Sequence, residues 1–542
     1  MRLFYLLIIL FSTISLYSQN TIGVLLNDAN SLNAYTLFTA QTETYLINNC
    51  GEVVNQWSSN FPPGNAVYLL ENGNLLRAAR VDNPDINFGG RGGRIELFDW
   101  DSNLLWEYDY STSLVTQHHD IYPMPNGNVL MLAITTLDQT QAIQAGRNPA
   151  NLTEGKLFNE QILELQPVGT NAANIVWEWN IKDHFIQEFD NTKDNFGVIN
   201  DNPQLLDINF LGTSTGNANW MHVNSIQYYE NLDQIVLSAR QLNEFYIIDH
   251  STTTVEAAGH SGGTYGKGGD FLYRWGNPVS YGEGTSSNQK LFGQHYSHFI
   301  ADGLVDAGKI ILFNNGFNRT PSFSEVLVLT PPTDSPGVYS RLANRAYGPS
   351  SPDYTYIDPA NATNFFSLIL SSAQRLPNGN TLICDGDSGY FFEIDSNDNK
   401  VWEYINPVGT FGILTQGDNP EFSGNTSFRA IKYSIDYPAF NGKDLTPGAP
   451  IELNPDLSNC SILSVAANEL IEVNIFPNPV TNKLTITSIE EIVKIEIYNS
   501  LGKLIKSNTY KNDIDTENLS SGIYIIKIFS IDKIANKKII KI

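Results

Sequence analysis

The sequence predicts an all-β protein, a six-bladed β-propeller followed by a small C-terminal β-sandwich. Three observations lead to this prediction. Strand-like apolar runs recur along the 542 residues, while helical periodicity is nearly absent. Turns of the Asn-Gly type, which favour hairpins, separate many of these runs. Strands that carry Trp follow the hairpins at similar spacing, and self-similarity at such a period is typical of a propeller.

Two patterns alternate between residues 40 and 440. The first is an apolar strand, a tight turn and another apolar strand, as in VYLLENGNLLRA (67–78) and AQRLPNGNTLIC (373–384). The second is a strand, a polar turn and a strand with Trp, as in YFFEIDSNDNKVWEY (390–404). Joined in order, they give six units of four strands, and FRAIKY (428–433) is expected to close the ring. A stacked sandwich is the alternative, which the regular recurrence of the paired patterns disfavours.

The remaining segments flank this ring. Residues 1–18 are predicted to be a signal peptide, with Arg2 as the basic start, an apolar run, and Ser18 before the cut. A membrane anchor is the alternative, but the run is shorter than the roughly 20 residues that span a bilayer, and no later segment can span one. The propeller is expected over residues 19–445, a Pro-rich linker over 446–470 and a lysine-rich β domain over 471–542.

Charge and cysteine content limit the functions. The net charge of −25 argues against nucleic acid or an anionic membrane surface as partner, and an anionic substrate would need a local cationic pocket. The three cysteines do not form a disulfide framework or a metal site. Cys50 and Cys460 either bridge the two ends of the ring or remain free, and Cys384 is expected to be a buried thiol. No grouping has metal-ligand spacing on one element, so neither a metal nor a cofactor is predicted.

Polar residues gather where the first strand of each unit begins, and that strand lines the channel of a propeller. Five of the eight histidines lie there. The candidates on these strand starts are His118, His119, His222, Asn224, Ser225, His295, His298, Ser371, Gln374 and Arg429. His119, Ser225 and Ser371 each precede a turn residue by eight positions, which predicts one common height. Together with Arg319, the histidines on these strand starts suggest an anion site with imidazole acid–base or nucleophilic chemistry. The alternative is that the histidines are structural and hydrogen-bond neighbouring blades.

The C-terminal segment carries FPNPVTNKLTI, IEIYNSLGKLI and NLSSGIYIIKI in that order. This order and wording resemble the C-terminal sorting domain of the type IX secretion system of Bacteroidetes. The resemblance implies that the secretion machinery is a partner and that the protein is secreted or held at the cell surface. An ordinary adhesion module is the alternative.

The segments HHDIYPMPNGN, MHVNSI, GQHYSHFIADG, LFNNGFNR and SSAQRLPNGNTL resemble the arylsulfate sulfotransferase family of six-bladed propellers. The resemblance implies transfer of a sulfuryl group from a phenolic sulfate ester to a phenol, without nucleotide sulfate, and through a histidine. The catalytic residues it implies are His222, His295 and Arg319, and the predicted substrate-binding residues are His119, His298, Asn224, Ser371, Gln374 and Arg429.

One departure from the family leaves the mechanism open. The family's covalent histidine follows the arginine, whereas no histidine follows His298 in this chain. Either His295 or His298 has taken over, transfer is direct, or catalysis is lost. We therefore also consider a non-catalytic surface propeller that binds a sulfated or phenolic ligand. A quinone-dependent dehydrogenase is disfavoured, because the chain lacks vicinal cysteines.

Overall fold

A computed structural model describes residues 20–211, 218–342, 345–460, 473–488, 491–499, 503–509, 513–530 and 534–542. The chain divides into two compact units, Met1–Cys460 and Ser461–Ile542. The predicted signal peptide lies outside the described residues. Among those described, no helix has the length and apolar character needed to cross a membrane.

Strands form most of the regular secondary structure of the first unit. Its early strands are β1 (Gly23–Asn27), β2 (Ala34–Ala40), β3 (Glu43–Ile47), β4 (Val53–Ser58), β5 (Pro63–Leu69), β6 (Leu75–Arg80), β7 (Gly93–Phe98), β8 (Leu104–Asp109), β9 (Val115–Pro123), β10 (Val129–Asp138), β11 (Lys156–Val168) and β12 (Ala172–Asn180). Next come β13 (Phe185–Ile186), β14 (Leu206–Asp207), β15 (Val223–Tyr229), β16 (Gln234–Ala239), β17 (Glu244–Asp249), β18 (Tyr273–Trp275), β19 (His295–Phe299), β20 (Ile310–Asn314) and β21 (Glu325–Leu329). The last are β22 (Thr333–Ser335), β23 (Val338–Tyr339), β24 (Tyr354–Tyr356), β25 (Ser372–Arg375), β26 (Thr381–Asp385), β27 (Tyr390–Ile394), β28 (Lys400–Ile405), β29 (Val408–Gly409), β30 (Gly412–Ile413) and β31 (Ala430–Ser434). Two short helices, α1 (Gln139–Gln144) and α2 (Thr254–Ala257), interrupt them.

Six antiparallel sheets of four or five strands follow one another along the described part of this unit. Their strand orders are β31-β2-β3-β4, β5-β6-β7-β8, β9-β10-β11-β12, β15-β16-β17-β18, β19-β20-β21-β24 and β25-β26-β27-β28-β1. Consecutive sheets contact each other through the pairs β2 and β5, β5 and β9, β9 and β15, β15 and β19, and β19 and β25, and β25 contacts β31 so that the series closes. The all-β prediction is confirmed, and we interpret the six sheets as the predicted blades.

Tryptophans join neighbouring sheets, as the repeated Trp pattern predicts. The indole of Trp57 on β4 donates to the carbonyl of Asp99, and that of Trp106 on β8 donates to Ala172, both at 2.8 Å. Trp402 on β28 donates to Asn49 in the same way at 2.8 Å. A buried indole N–H needs an acceptor, so each of these rings fills apolar space and also fixes the position of the next sheet.

A disulfide between Cys50 and Cys460 joins the two ends of the unit, and Cys384 is a buried free thiol. Just before Cys460, Ile451 is buried in an apolar cluster with residues of the last blade, and the carbonyl of Ala449 accepts from Val53. The first part of the predicted linker therefore packs on the sheets. Residues 461–470, the rest of that linker, lie outside the described residues.

The second unit contains two antiparallel sheets. Its strands are β32 (Val473–Phe476), β33 (Lys483–Ser488), β34 (Lys494–Asn499), β35 (Leu504–Thr509), β36 (Asp513–Asp515), β37 (Gly522–Phe529) and β38 (Ile534–Lys541). They pair in the orders β32-β33-β36 and β35-β34-β37-β38. Leu484 and Ile486 of one sheet share a buried cluster with Ile497 and Ile526 of the other. We interpret this pair of sheets as the predicted sandwich.

Candidate active site

Backbone irregularities lie where the first strands carry histidines. His119, His222 and Tyr296 have positive φ values of 48°, 53° and 51°. The pairing of β9 and β19 shifts register at His119 and Tyr296, and that of β15 shifts just after His222, between Val223 and Ser225. Positive φ is uncommon outside glycine, and bulges of this kind re-aim side chains next to functional sites. Here the bulges bring the imidazoles of consecutive sheets together, and the ring centres of His119 and His222 are 4.6 Å apart.

His119 stands at the end of a short hydrogen-bonded chain. Glu160 Oε2 lies 3.0 Å from His118 Nε2, and His118 Nδ1 lies 2.8 Å from His119 Nδ1. Because the carboxylate accepts from Nε2 of His118, the Nδ1 atom of a neutral His118 must accept from His119. His119 therefore carries its proton on Nδ1 and a lone pair on Nε2.

A glycine-rich segment, residues 89–93, covers His119. The carbonyl of Gly90 accepts from the backbone N–H of His119 at 2.7 Å. A Cβ atom at Gly90 would lie 1.9 Å from His119 Nε2, and one at Gly92 would lie 1.8 Å from Gln117 Oε1. The glycines of this segment are needed because the backbone approaches the central side chains so closely.

His222 is partly exposed and borders a cavity of about 450 Å³ that Phe88, Lys156 and Phe158 also line. Asn219 Nδ2 donates to His222 Nδ1 at 2.7 Å. With Nδ1 acting as acceptor, the proton of the neutral ring sits on Nε2, where it can be donated.

His295 has the opposite arrangement. Its Nδ1 lies 2.8 Å from Asn315 Oδ1, while the amide nitrogen of Asn315 donates to the carbonyls of Ser367 and Leu370 at 2.9 and 3.1 Å. These two donations fix the orientation of the amide, so its oxygen faces the ring and His295 must donate from Nδ1. The Nε2 atom of His295 therefore holds a lone pair.

The central imidazoles are neutral at neutral pH. Burial lowers the pKa of His295 to about 3, with the positive charge of Arg240 adding to the effect. Burial likewise lowers the pKa of His298 to about 4. The pKa values of His119 and His222 also lie well below the usual range, first because of burial and then because of neighbouring cationic or imidazole groups. Neutral imidazoles can act as nucleophiles or bases.

Arg240 supplies the positive charge of the site. It follows β16 directly, its backbone N–H donates to the carbonyl of His222 at 3.1 Å, and its guanidinium packs over the ring of Phe317 at 4.7 Å. No carboxylate among the described residues pairs with it, and burial lowers its pKa. A guanidinium that lacks a counterion beside neutral imidazoles is suited to a multi-oxygen anion. Sequence reasoning missed Arg240, whose only signal is its place at the end of the His222 hairpin.

The two arginines predicted from sequence already have carboxylate partners. Arg319 pairs with Glu325 at 2.8 Å and stacks on Phe323 in its own loop. Arg429 pairs with Asp120 at 2.8 Å and donates to the hydroxyl of Tyr68 at 2.6 Å. Both guanidinium charges are thus neutralised locally, and a role for either in substrate binding stays a prediction.

The remaining predicted residues mostly bridge backbone segments. Asn224 donates to the carbonyl of Gln294 at 2.8 Å, and Gln374 exchanges hydrogen bonds with the backbone of Lys432. Ser371 Oγ accepts from the N–H of Gly386 at 3.0 Å. His298 donates to the carbonyl of Tyr296 at 2.9 Å and lines a second cavity of about 940 Å³. These contacts fit the structural alternative considered for the inner strands, and participation in binding stays a prediction.

Fold and site together define an all-β protein built from a closed series of small sheets, in which imidazoles and a guanidinium lie together where the first strands begin. The chain belongs to the arylsulfotransferase (ASST) family, whose model matches residues 25–411. A second model, the secretion system C-terminal sorting domain, matches residues 474–542. The sorting domain indicates export to the cell surface or secretion, as predicted.

Similar solved structures have low sequence identity to this chain. A protein of unknown function from Bacteroides caccae is 11% identical, with a TM-score of 0.39, and the match covers 74% of this chain and 99% of that one. A periplasmic gluconolactonase from Pseudomonas aeruginosa is 10% identical, with a TM-score of 0.34 and coverage of 75% and 100%. A protein from Lactobacillus plantarum is 9% identical, with a TM-score of 0.33 and coverage of 89% and 98%. No curated protein matches the chain.

Proposed function

We propose that the central site transfers a sulfuryl group from a phenolic sulfate ester to a phenol acceptor, without nucleotide sulfate. One observation carries this proposal. The guanidinium of Arg240, which pairs with no carboxylate in the described part of the chain, lies near neutral imidazoles, of which His295 offers a lone pair at Nε2. The guanidinium attracts the sulfate ester, and the lone pair provides a nucleophile where the family's later histidine is absent.

In the first half of the reaction, Nε2 of His295 attacks the sulfur atom of the donor. The bond between sulfur and the phenolic oxygen breaks, and the departing phenolate accepts a hydrogen bond from the Nε2–H of His222 before it takes a proton from solvent. Charge spreads over the three equatorial sulfuryl oxygens during transfer, and Arg240 stabilises it. As in phosphoryl transfer, positioning and electrostatic stabilisation carry most of the catalysis.

In the second half, the acceptor phenol occupies the place of the first phenol. It loses its proton to solvent and is held there by the Nε2–H of His222, its oxygen attacks the sulfur, and the nitrogen–sulfur bond to His295 breaks. Both histidines return to their starting states. Throughout the cycle, Asn315 holds the proton on Nδ1 of His295 and so keeps Nε2 directed to the sulfuryl group.

His119 is the second imidazole with a lone pair on Nε2, and its link through His118 to Glu160 can stabilise positive charge on its ring. The glycine-rich segment, however, packs directly on that nitrogen. We therefore assign the carrier role to His295. His119 is assigned to support of the neighbouring His222, whose ring centre is 4.6 Å away.

The assay is release of 4-nitrophenol from 4-nitrophenyl sulfate, with and without phenol. We expect release that depends on the acceptor, and we expect His295→Ala to abolish it. His298→Ala is the matched control, because His298 lies on the same strand and is equally neutral but lines the other cavity. Mass spectrometry after donor alone should find one sulfuryl group on the His295 peptide.

Two kinds of result would contradict different parts of this proposal. Full activity in His295→Ala, or a sulfuryl group on another histidine, would refute the assigned carrier while leaving the transfer reaction. A folded protein that binds 4-nitrophenyl sulfate without turnover would instead favour the non-catalytic binding alternative.

A further inference from the structure

A second cluster of chemically active side chains lies outside the central site. His184 ends a short 3₁₀ turn (Ile181–His184) after β12, whereas His260 and Asp270 lie in the connection between β17 and β18. Nδ1 of His184 and Nδ1 of His260 each lie 2.8 Å from Asp270 Oδ1. The potential ligand atoms of all three residues lie within 4.8 Å of one another.

The hydrogen-bond donors and acceptors of this cluster do not match unless an additional proton or a metal ion is present. Nε2 of His184 lies 2.9 Å from the carbonyl oxygen of Ala257, and because a carbonyl can only accept, that nitrogen must carry a proton. Nδ1 of the neutral ring is then a lone pair, and it faces a carboxylate oxygen. Two acceptors at this distance repel each other unless a second proton or a metal ion lies between them. A ring that donates one N–H to a carbonyl and offers the other nitrogen is the usual arrangement of a metal-ligating histidine.

Two of the three side chains are held rigidly. The side chain of His184 is fully buried and that of Asp270 is 5% exposed. The indole of Trp179 stacks on His184 with a 7° angle between ring planes and donates to the carbonyl of Gly269 at 2.8 Å. His260, by contrast, is 62% exposed, so the cluster opens to solvent on one side.

We propose that His184, His260 and Asp270 bind a divalent transition-metal ion of the zinc class, through two imidazole nitrogens and one carboxylate oxygen. Solvent fills the fourth position. Imidazole ligands favour zinc, copper or nickel over calcium or magnesium. Ligand atoms around tetrahedral zinc are about 3.3 Å apart, as follows from bonds of about 2.0 Å. Both 2.8 Å contacts of Asp270 must therefore widen slightly, the one to the exposed His260 by rotation of that side chain and the one to His184 by a small shift of the Asp270 carboxylate.

The ion would fasten the connection that carries His260 and Asp270 to the turn after β12. This role is independent of the central site and requires no turnover. His184 and His260 are 76 residues apart in the chain, so no short sequence motif indicates the site.

The test is equilibrium dialysis of the metal-stripped full chain against zinc chloride, with the bound metal quantified. We expect one equivalent per chain, a higher melting temperature with zinc, and the visible absorption of tetrahedral cobalt when cobalt replaces zinc. His260→Ala should weaken zinc binding by more than about 10- to 100-fold, the range typical of losing a group that only supports a metal ligand. Because His260 is exposed, this variant is expected to fold, and far-UV circular dichroism checks it.

His222→Ala is the matched control, since the central histidines are the other group that zinc could find. Retained binding in His222→Ala together with loss in His260→Ala supports the proposal. Three results would overturn it: no binding by the unaltered chain, equal binding by His260→Ala, or loss confined to His222→Ala.

Discussion

Nδ1 of His295 donates to Oδ1 of Asn315 at 2.8 Å, although the two residues come from different strand ends of the same sheet. The amide nitrogen of Asn315 donates hydrogen bonds to the carbonyls of Ser367 and Leu370, which lie beyond the last strand of that sheet. One side chain thus connects the proposed nucleophile to the segment that leads to the next blade. The same contact decides which ring nitrogen of His295 is free.

Asn315→Asp should move the acid limb of the pH–rate profile upward. A carboxylate beside His295 favours the charged ring and raises its pKa from about 3, and an opposite charge at this distance typically acts by about one to three pH units. Protonation removes the lone pair, so kcat/KM should fall at acidic pH and recover as the pH approaches neutrality. Asn361→Asp, at an exposed helix N-cap, adds the same charge elsewhere and should leave the profile unchanged. An unmoved acid limb in Asn315→Asp would exclude His295 as nucleophile.

Arg240→Gln should lower kcat/KM about 100-fold or more, which is typical for removal of one donor that stabilises a developing anion. The fold should survive, because Arg240 has no ion pair among the described residues.

Arg319→Gln should instead lower the stability of the protein and leave its turnover unchanged. It leaves Glu325, which is 9% exposed, without its partner and lowers the melting temperature, while turnover by the folded fraction persists. Steady-state kinetics and thermal unfolding on both variants separate the roles; loss of turnover only in Arg319→Gln would return the cationic role to Arg319.

Much of the fold was predictable because its signals are local. Asn-Gly turns set the hairpins, and the Trp strands, whose indoles donate to neighbouring sheets, marked the blade period. The clustering of His119, His222 and His295 was also predictable, since all three lie where first strands begin.

The geometry of the site was less predictable because it depends on bulges and on contacts across loops. Counting back from the turns placed Ser225 at the height of His119, but His222 is the residue that shares its positive φ and contacts its ring. Arg319 was predicted and Arg240 was missed, because the pairing of Arg319 with Glu325 becomes visible only once the loop is folded. A one-residue bulge or a six-residue loop closure leaves no periodic trace in a sequence.

His298 and His250 should make stability depend on pH in opposite directions. Burial lowers the pKa of His298 to about 4, so its neutral form stabilises the fold above the unfolded value near 6.5, and that stability is lost as pH falls. Burial opposes the charging of His250, but hydrogen bonds to Asp233 and Glu164 outweigh it and raise the pKa to about 9. Its contribution is present below pH 6.5 and is lost as pH rises through 9.

His298→Gln should therefore reduce the loss of unfolding free energy between pH 8 and pH 5 by about 2 kcal/mol, and His250→Gln should reduce the loss between pH 7 and pH 10 by a similar amount. Denaturant unfolding at the paired pH values measures each difference, and comparing differences cancels the packing cost of each substitution. The assignment would be contradicted if His298→Gln reduced the loss of stability between pH 7 and pH 10, or if His250→Gln reduced the loss between pH 8 and pH 5.

The glycine-rich segment gives a test with a close control. Gly90 and Gly127 have almost equal φ values, +85° and +84°, so alanine at either position carries a similar backbone cost of about 1–2 kcal/mol. A Cβ atom at Gly90 would lie 1.9 Å from Nε2 of His119, whereas none of the described atoms lies within 4 Å at Gly127. Gly90→Ala must therefore push the segment off His119 and disturb the adjacent His222, so kcat/KM should fall at least about tenfold, the scale that misplacement of catalytic groups produces. Gly127→Ala should lower the melting temperature alone. Equal kinetic effects of the two variants would show that the close packing of Gly90 on His119 has no part in transfer.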